Sequence, residues 1–279
     1  MMKLNLTKSD LLMASAACAW GFSYIFMKWG LDSCTPFQII FLRFGIAFPV
    51  LLLVFRKKVI PNKTELAYSV LLAVAVFALS VGYNYGLQTT DASTAGFLAG
   101  TTVAIVPILN GILKRKWPEK KVMLCAVLAL GGIALVSLTE RLRISPGALL
   151  CIFGAVAYAV QILITHRALE KCRALVIGIW QLGFTSVFGG IVLLCAGETH
   201  FALDGMGWIG ILGLAFISSA YGYIAQTYAQ KNVTPERAGF LYSLEPVACA
   251  VLAFLFFGEI MSLREVLGAV MILFSILIG

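Results

Sequence analysis

The sequence predicts an all-α membrane protein of ten transmembrane helices, arranged as two inverted five-helix repeats. Three observations carry that prediction. First, 61% of the 279 residues are hydrophobic and 12% are charged, about half the charged share of an ordinary soluble domain. Second, the charges fall in short clusters separated by apolar stretches of about 17–24 residues. That length crosses ~30 Å of hydrocarbon at 1.5 Å per residue. Third, the basic residues sort onto alternate connections. Only helices and closed barrels satisfy their own backbone in lipid. The stretches lack the alternation of barrel strands, so helices are expected.

The elements follow in order. Residues 11–30 form the first span, flanked by Lys3 and Lys8. Its Ala14-Ser15-Ala16 run resembles a cleavage site, but only Leu11-Leu12-Met13 precedes it. That is too short for the apolar core of a signal peptide, so a retained helix is expected. The second span, 36–55, ends at Arg56-Lys57-Lys58, and the third covers 65–87. The fourth, 93–113, contains Pro107 and stops at Lys114-Arg115-Lys116. The fifth, 122–138, carries Gly131-Gly132, which favours close helix approach. Spans at 147–169, 174–195, 205–228, 238–257 and 263–278 complete the set. The two units are residues 1–140 and 145–279.

Assigning connections alternately to two sides puts 16 basic residues on one side and three (Arg141, Arg143, Arg264) on the other, with Lys28 and Arg43 inside or at the end of spans. The positive-inside rule then places both termini in the cytoplasm. The +8 net charge is thus an orientation signal, not a nucleic-acid surface. The halves also resemble each other. A shift of 138 aligns Ala19-Trp20 with Ala157-Tyr158 and Cys34 with Cys172; a shift of 143 aligns Ala95-Gly96-Phe97-Leu98 with Ala238-Gly239-Phe240-Leu241. An odd number of helices per half turns the second half over. Corresponding loops should then have opposite charge bias, and they do: 56–63 is basic, whereas 197–204 has no Lys or Arg. Inverted repeats of this kind hold a site near the membrane midplane.

Polar side chains inside spans face a cavity or another helix. Trp20, Ser23 and Tyr24 share one face of the first span with Lys28, and Tyr158, Gln161 and Thr165 share one in the sixth. The third span offers Ser80, Tyr83, Asn84 and Gln88; the eighth offers Ser219, Tyr223, Gln226 and Gln230. Spacings of three and four put each set on one side. These faces either ring a cavity or hold helices together. In the ninth span, Glu245 precedes Pro246 on a face with Tyr242. A charge at that depth costs roughly 2.5–3.5 kcal/mol on insertion scales. It serves to bind an amine or exchange a proton, or it is a structural carboxyl. Arg43, about two turns inside the second span, contacts an anionic group, acts in a gate, or snorkels to the interface.

The stretches Ala19-Trp20-Gly21-Phe22-Ser23, Leu42-Arg43-Phe44, Tyr85 with Thr94-Ala95, and Leu244-Glu245-Pro246-Val247 followed by Phe257-Gly258-Glu259 and Gly268 together resemble an EamA-type member of the drug/metabolite transporter superfamily. The resemblance covers nearly the whole chain. The first repeat departs from it: Thr102 stands where Glu245 stands in the second, and Lys114-Arg115-Lys116 replaces Phe257-Gly258-Glu259. The resemblance implies ten helices in the plasma (inner) membrane, alternating access, and a central cavity walled mainly by spans 1, 3, 4, 6, 8 and 9. It also implies export of amino acids or related small metabolites.

The expected partners are therefore a small-molecule solute and the lipid bilayer, with no nucleic acid; proton coupling and a homodimer stay open. A drug, lipid or sugar-conjugate transporter is the alternative within this class, and a structural or receptor-like membrane protein the alternative outside it. An enzyme is not expected. His166 and His200 lie at span ends, no aspartate is mid-span, and a nucleophile–base pair or acidic cluster is what such chemistry needs. Seven cysteines without a C-x-x-C pair indicate neither a disulfide framework nor a zinc site; no metal, cofactor or catalytic residue is expected. Reporter fusions in the 56–63 and 197–204 loops should report opposite compartments, and a shared compartment would end the inverted-repeat reading.

Overall fold

The computed structural model describes residues 7–137, 145–258 and 262–278. Lys3, Arg141, Arg143 and Glu259 lie outside the described residues. Within them the chain is helical, and no strand occurs. Helix α1 is Lys8–Leu31; α2, Pro36–Phe55, runs into a tighter turn at Arg56–Lys58; α3 is Lys63–Leu87. The next segment is two helices, α4 (Ala92–Ala99) and α5 (Thr102–Lys114), and α6 is Lys120–Ser137. Then come α7 (Pro146–Leu169), α8 (Ala174–Cys195) and α9 (Gly205–Gly213). A π-helical stretch, Leu214–Gly222, joins α9 to α10 (Tyr223–Gln230). Helices α11 (Pro235–Tyr242), α12 (Leu244–Phe257) and α13 (Leu263–Ile278) follow.

Eight of these helical runs are long and apolar enough to cross a bilayer; α13 holds a shorter apolar stretch, Val266–Ser275. The polar residues that punctuate the sequence start the helices. Thr7 with Asp10, Thr35 with Gln38 and Asn62 with Glu65 form reciprocal capping boxes, which satisfy otherwise bare amides. Pro36, Pro146 and Pro235 occupy first turns, where no backbone donor is needed.

The succession of helices occurs twice. Helices α1 and α7 both contain 24 residues and begin 138 positions apart, at Lys8 and Pro146. Helices α4 and α11 both contain 8 and begin 143 apart, at Ala92 and Pro235. Packing follows the same plan: α3 lies along α7, and α1 lies along α9, the π stretch and α10, while α2 pairs with α8 and α6 with α13. Two capping carboxylates also tie the halves together. Glu65 takes Arg173 at 2.7 and 2.8 Å, and Asp10 takes Arg237 at 2.8 Å through both oxygens. Toward the other end of α2, Gln38 instead donates to the Glu198 and His200 carbonyls at 2.8 and 2.7 Å.

Three expected spans are not continuous α-helices. The fourth breaks at Gly100–Thr101, the ninth at Ser243, and the eighth passes through the π stretch. Elsewhere the backbones pack tightly. A Cβ on Gly82 of α3 would sit 2.7 Å from the Leu150 carbonyl and 2.8 Å from the Gly154 amide nitrogen of α7. Gly82→Val should therefore lower stability by about 1–3 kcal/mol through overpacking, read as a fall in melting temperature in detergent. Gly205→Ala, with nothing within 4 Å, should leave it unchanged.

Candidate functional site

The Ser243 break and the end of the π stretch adjoin a cavity of about 420 Å³. Helix α1 presents Trp20, Ser23, Tyr24 and Met27 to it, one face at spacings of three and four. Helix α3 presents Leu79, Ser80 and Tyr83; Tyr158, Tyr223 and Glu245 come from α7, α10 and α12, and Arg43 from α2. Much of the space lies as slivers between side chains, leaving room for about three waters. Gly21 permits the closeness of α1 and α12, since a Cβ there would be 2.6 Å from that of Ala248.

Trp20 is the hub. Its ring meets Tyr158 and Tyr223 edge-on at 5.6 Å and Tyr242 at 5.2 Å, the geometry aromatic quadrupoles favour. Its indole nitrogen donates to the Ser218 carbonyl at 3.0 Å. Ser218 lies in the π stretch, where widened winding commonly accompanies a site. The next residue, Ser219, accepts from Arg43 Nε at 3.0 Å. One irregular segment thus orients both the central ring and the buried cation.

One carboxyl and one guanidinium face the cavity. Glu245 is 4% exposed and accepts from the Tyr24 hydroxyl at 2.9 Å. Arg43 is 5% exposed, with its guanidinium 4.7 Å from the Phe44 ring centroid. Burial beneath Tyr223 and Ser219 contradicts the snorkelling alternative for Arg43. Among the described residues neither charge makes an ion pair, with the other or with anything else. The hydroxyls of Ser80, Tyr83 and Tyr158 are buried there without a hydrogen-bond partner among the described residues. A buried polar group left bare is costly, so these atoms mark where a polar occupant gains most.

The structure thus brings together Trp20, Ser23, Tyr24, Arg43, Ser80, Tyr83, Tyr158, Tyr223 and Glu245. It places four other candidates beside the cavity rather than on its wall. Tyr242 stacks behind Tyr158 at 5.7 Å. Asn84 turns back to the Ser80 carbonyl at 2.8 Å. Gln161 and Gln226 bond reciprocally, at 3.2 and 2.9 Å, joining α7 to α10. Met27 and Leu79 also line the wall, apolar residues that polar spacing does not single out although each sits one turn from a polar wall residue, Ser23 and Tyr83. Span 2 reaches the cavity through Arg43, whereas no residue of span 4 lines it, unlike the wall the family resemblance implies.

The sequence model of the EamA-like transporter family matches residues 7–138 and 145–278. An uncharacterized transporter of Archaeoglobus fulgidus is 28% identical over 220 residues, covering 78% of this chain and 77% of that one. The uncharacterized inner membrane transporter YedA of Escherichia coli is 26% identical, covering 93% and 86%. A crystal structure superposes with a TM-score of 0.80 over 98% of both chains at 15% identity, which shows a shared fold.

The amide pair gives a test of wall against glue. Gln161→Leu strands the Gln226 amide and should cost about 1–3 kcal/mol. The double change to leucine should recover most of that loss and keep transport. A stable double variant without flux would put these amides in the solute path.

Proposed function

This chain belongs to the EamA-like transporter family and is a membrane transporter, and on that premise we propose that it exports amino acids or closely related zwitterionic metabolites by alternating access. The observation that carries this reading is a buried guanidinium and a buried carboxyl, neither in an ion pair among the described residues: Arg43 from the first half and Glu245 from the second face one cavity. A lone cation would meet the guanidinium, and a lone anion the carboxylate. A solute bearing both signs satisfies both. Its ammonium sits at Glu245 among the faces of Trp20 and the tyrosines, where cation–π attraction adds. Its carboxylate meets the guanidinium nitrogens that Ser219 leaves available. The bare hydroxyls of Ser80, Tyr83 and Tyr158 bind the remaining polar atoms, and Met27 and Leu79 touch the side chain.

Room for about three waters means that solute enters only when helices part. In the proposed ten-helix arrangement the halves are inverted repeats, 1–140 and 145–279, in the plasma (inner) membrane with cytoplasmic termini. They rock about the cavity, and the breaks at Gly100–Thr101 and Ser243 are where α4 and α11 bend relative to α5 and α12. The role is transport rather than catalysis, as the relatives' names also have it.

The test is counterflow in proteoliposomes with amino acids and small metabolites, with and without a pH gradient. The gradient arm reads whether a proton moves with the solute. Glu245→Gln and Arg43→Gln should each cut flux roughly ten- to a hundredfold, the worth of one charge-assisted hydrogen bond. An amine-only solute would be hurt by the first change and spared by the second. Normal flux through both variants, well inserted, would overturn the proposal.

A further inference from the structure

Far from the solute cavity, the turn joining α5 to α6 carries a second concave site. Lys114, Arg115, Lys116, Lys120 and Lys121 crowd eight residues, opposed by Glu119. The α5 end of the turn borders an open concavity of about 480 Å³, with Ile108 and Ile112 on one side and Arg115, Lys116 and Trp117 on the other. Trp117 is 86% exposed. Ile112 and Leu113, beside it on α5, are exposed as well.

Arg115 has a left-handed backbone, φ +52°. It caps α5 just as Gly258, φ +66°, caps α12, and the two residues stand at corresponding places in the two halves. Glycine adopts that conformation freely, whereas an L-residue is strained in it. The fold therefore has an unstrained solution, uses it once, and places an arginine in the other copy. Strain of this kind persists where the side chain has a task. Within the described residues, neither Arg115 nor Lys116 finds a hydrogen-bond or ion-pair partner for its side chain.

An orientation signal alone requires only cations near a span. It needs no fixed turn, no left-handed arginine and no exposed tryptophan. Taken together, these features match one ligand chemistry. An anionic headgroup neutralises the cations, an indole sits at headgroup level, and an acyl chain runs down an apolar helix face.

We propose that the α5–α6 turn binds an anionic phospholipid, its phosphate on Arg115 and Lys116 against Trp117 and its chain along Ile108 and Ile112. The neighbouring lysines raise the local lipid concentration by attraction to the charged surface. This site is independent of the solute cavity and of what that cavity carries.

The test compares thermal stabilisation of the purified protein by phosphatidylglycerol and by phosphatidylcholine of the same chains, with inorganic phosphate as a third arm. Phosphatidylglycerol should stabilise the unaltered protein more than phosphatidylcholine, and phosphate alone should do little. Arg115→Gly relieves the backbone, so it should fold at least as well in phosphatidylcholine while binding phosphatidylglycerol about fivefold more weakly. Lys116→Gln should weaken it by a similar factor, and Trp117→Ala should weaken it too. Three results would each overturn the proposal: equal stabilisation by the two lipids, undiminished phosphatidylglycerol binding by Arg115→Gly, or the full effect from phosphate alone.

Discussion

A peptide amide or carbonyl left bare in hydrocarbon costs several kcal/mol, and this constraint decides where the helices are allowed to fail. Each interruption is chemically mended. At the first break the hydroxyls of Thr101 and Thr102 bond back to the Leu98 and Ala99 carbonyls at 2.7 and 2.6 Å. At the break before Glu245 the Ser243 hydroxyl reaches the Gly239 carbonyl at 3.2 Å. In the π stretch the Ser218 carbonyl is taken by the Trp20 indole. Irregular backbone at membrane depth is tolerated where protein or a polar cavity surrounds it. The Ser243 break and the π stretch adjoin the cavity, while the first break sits against the second half, where Thr102 also reaches the Ala155 carbonyl at 3.5 Å.

The same constraint explains why the cavity is aromatic and hydroxylated rather than ionic. Tyrosine and tryptophan give large apolar faces to the surrounding helices and keep one polar atom each for the interior. Placing several around a small volume yields many hydrogen-bonding sites at a low cost in desolvated charge. Among the described residues only one acidic and one basic side chain line it, and they are kept apart. Had Arg43 and Glu245 met, they would have formed a buried salt bridge, weak in net stabilisation but strongly opposed to being opened. Separated, each keeps its capacity to bind something else, and the hydrogen-bond partners they have among the described residues, Ser219 and Tyr24, hold their orientation without neutralising them.

Much of this was legible beforehand, for a physical reason. A polar side chain in an apolar span is costly, so its presence and helical spacing point inward; Trp20, Ser23 and Tyr24 were recoverable in this way, as were Ser80 and Tyr83. Glu245 and Arg43 stood out as lone charges. Spacing carries no record of whether an inward amide finds a partner. Gln161 and Gln226 bond each other and Asn84 bonds its own helix, outcomes that depend on the approach of α7 to α10 and on one rotamer. Nor does hydropathy register a change of winding. Residues 214–222 read as ordinary helix because an apolar π stretch has the composition of an apolar α-helix. Met27 and Leu79 escaped because methionine and leucine inside a span are expected everywhere.

The two halves share a plan and divide the chemistry. Corresponding positions hold Glu245 in one and Thr102 in the other, and a glycine cap in one and Arg115 in the other. The N-terminal cap of α8 is Arg173, held by Glu65 and by the Ile60 carbonyl at 2.6 Å. Its counterpart before α2 is Thr35, hydrogen-bonded to Glu198. A repeated scaffold supplies near-symmetric crossings, which is what packing requires. A carboxylate at position 102 as well as at 245 would add a second buried charge, which is costly to desolvate. Thr102 avoids that cost, since its hydroxyl bonds its own backbone at the Ala99 carbonyl where a carboxylate needs an external partner. Different side chains on a repeated succession of helices therefore leave one carboxyl, from α12, and one guanidinium, from α2, facing the same cavity.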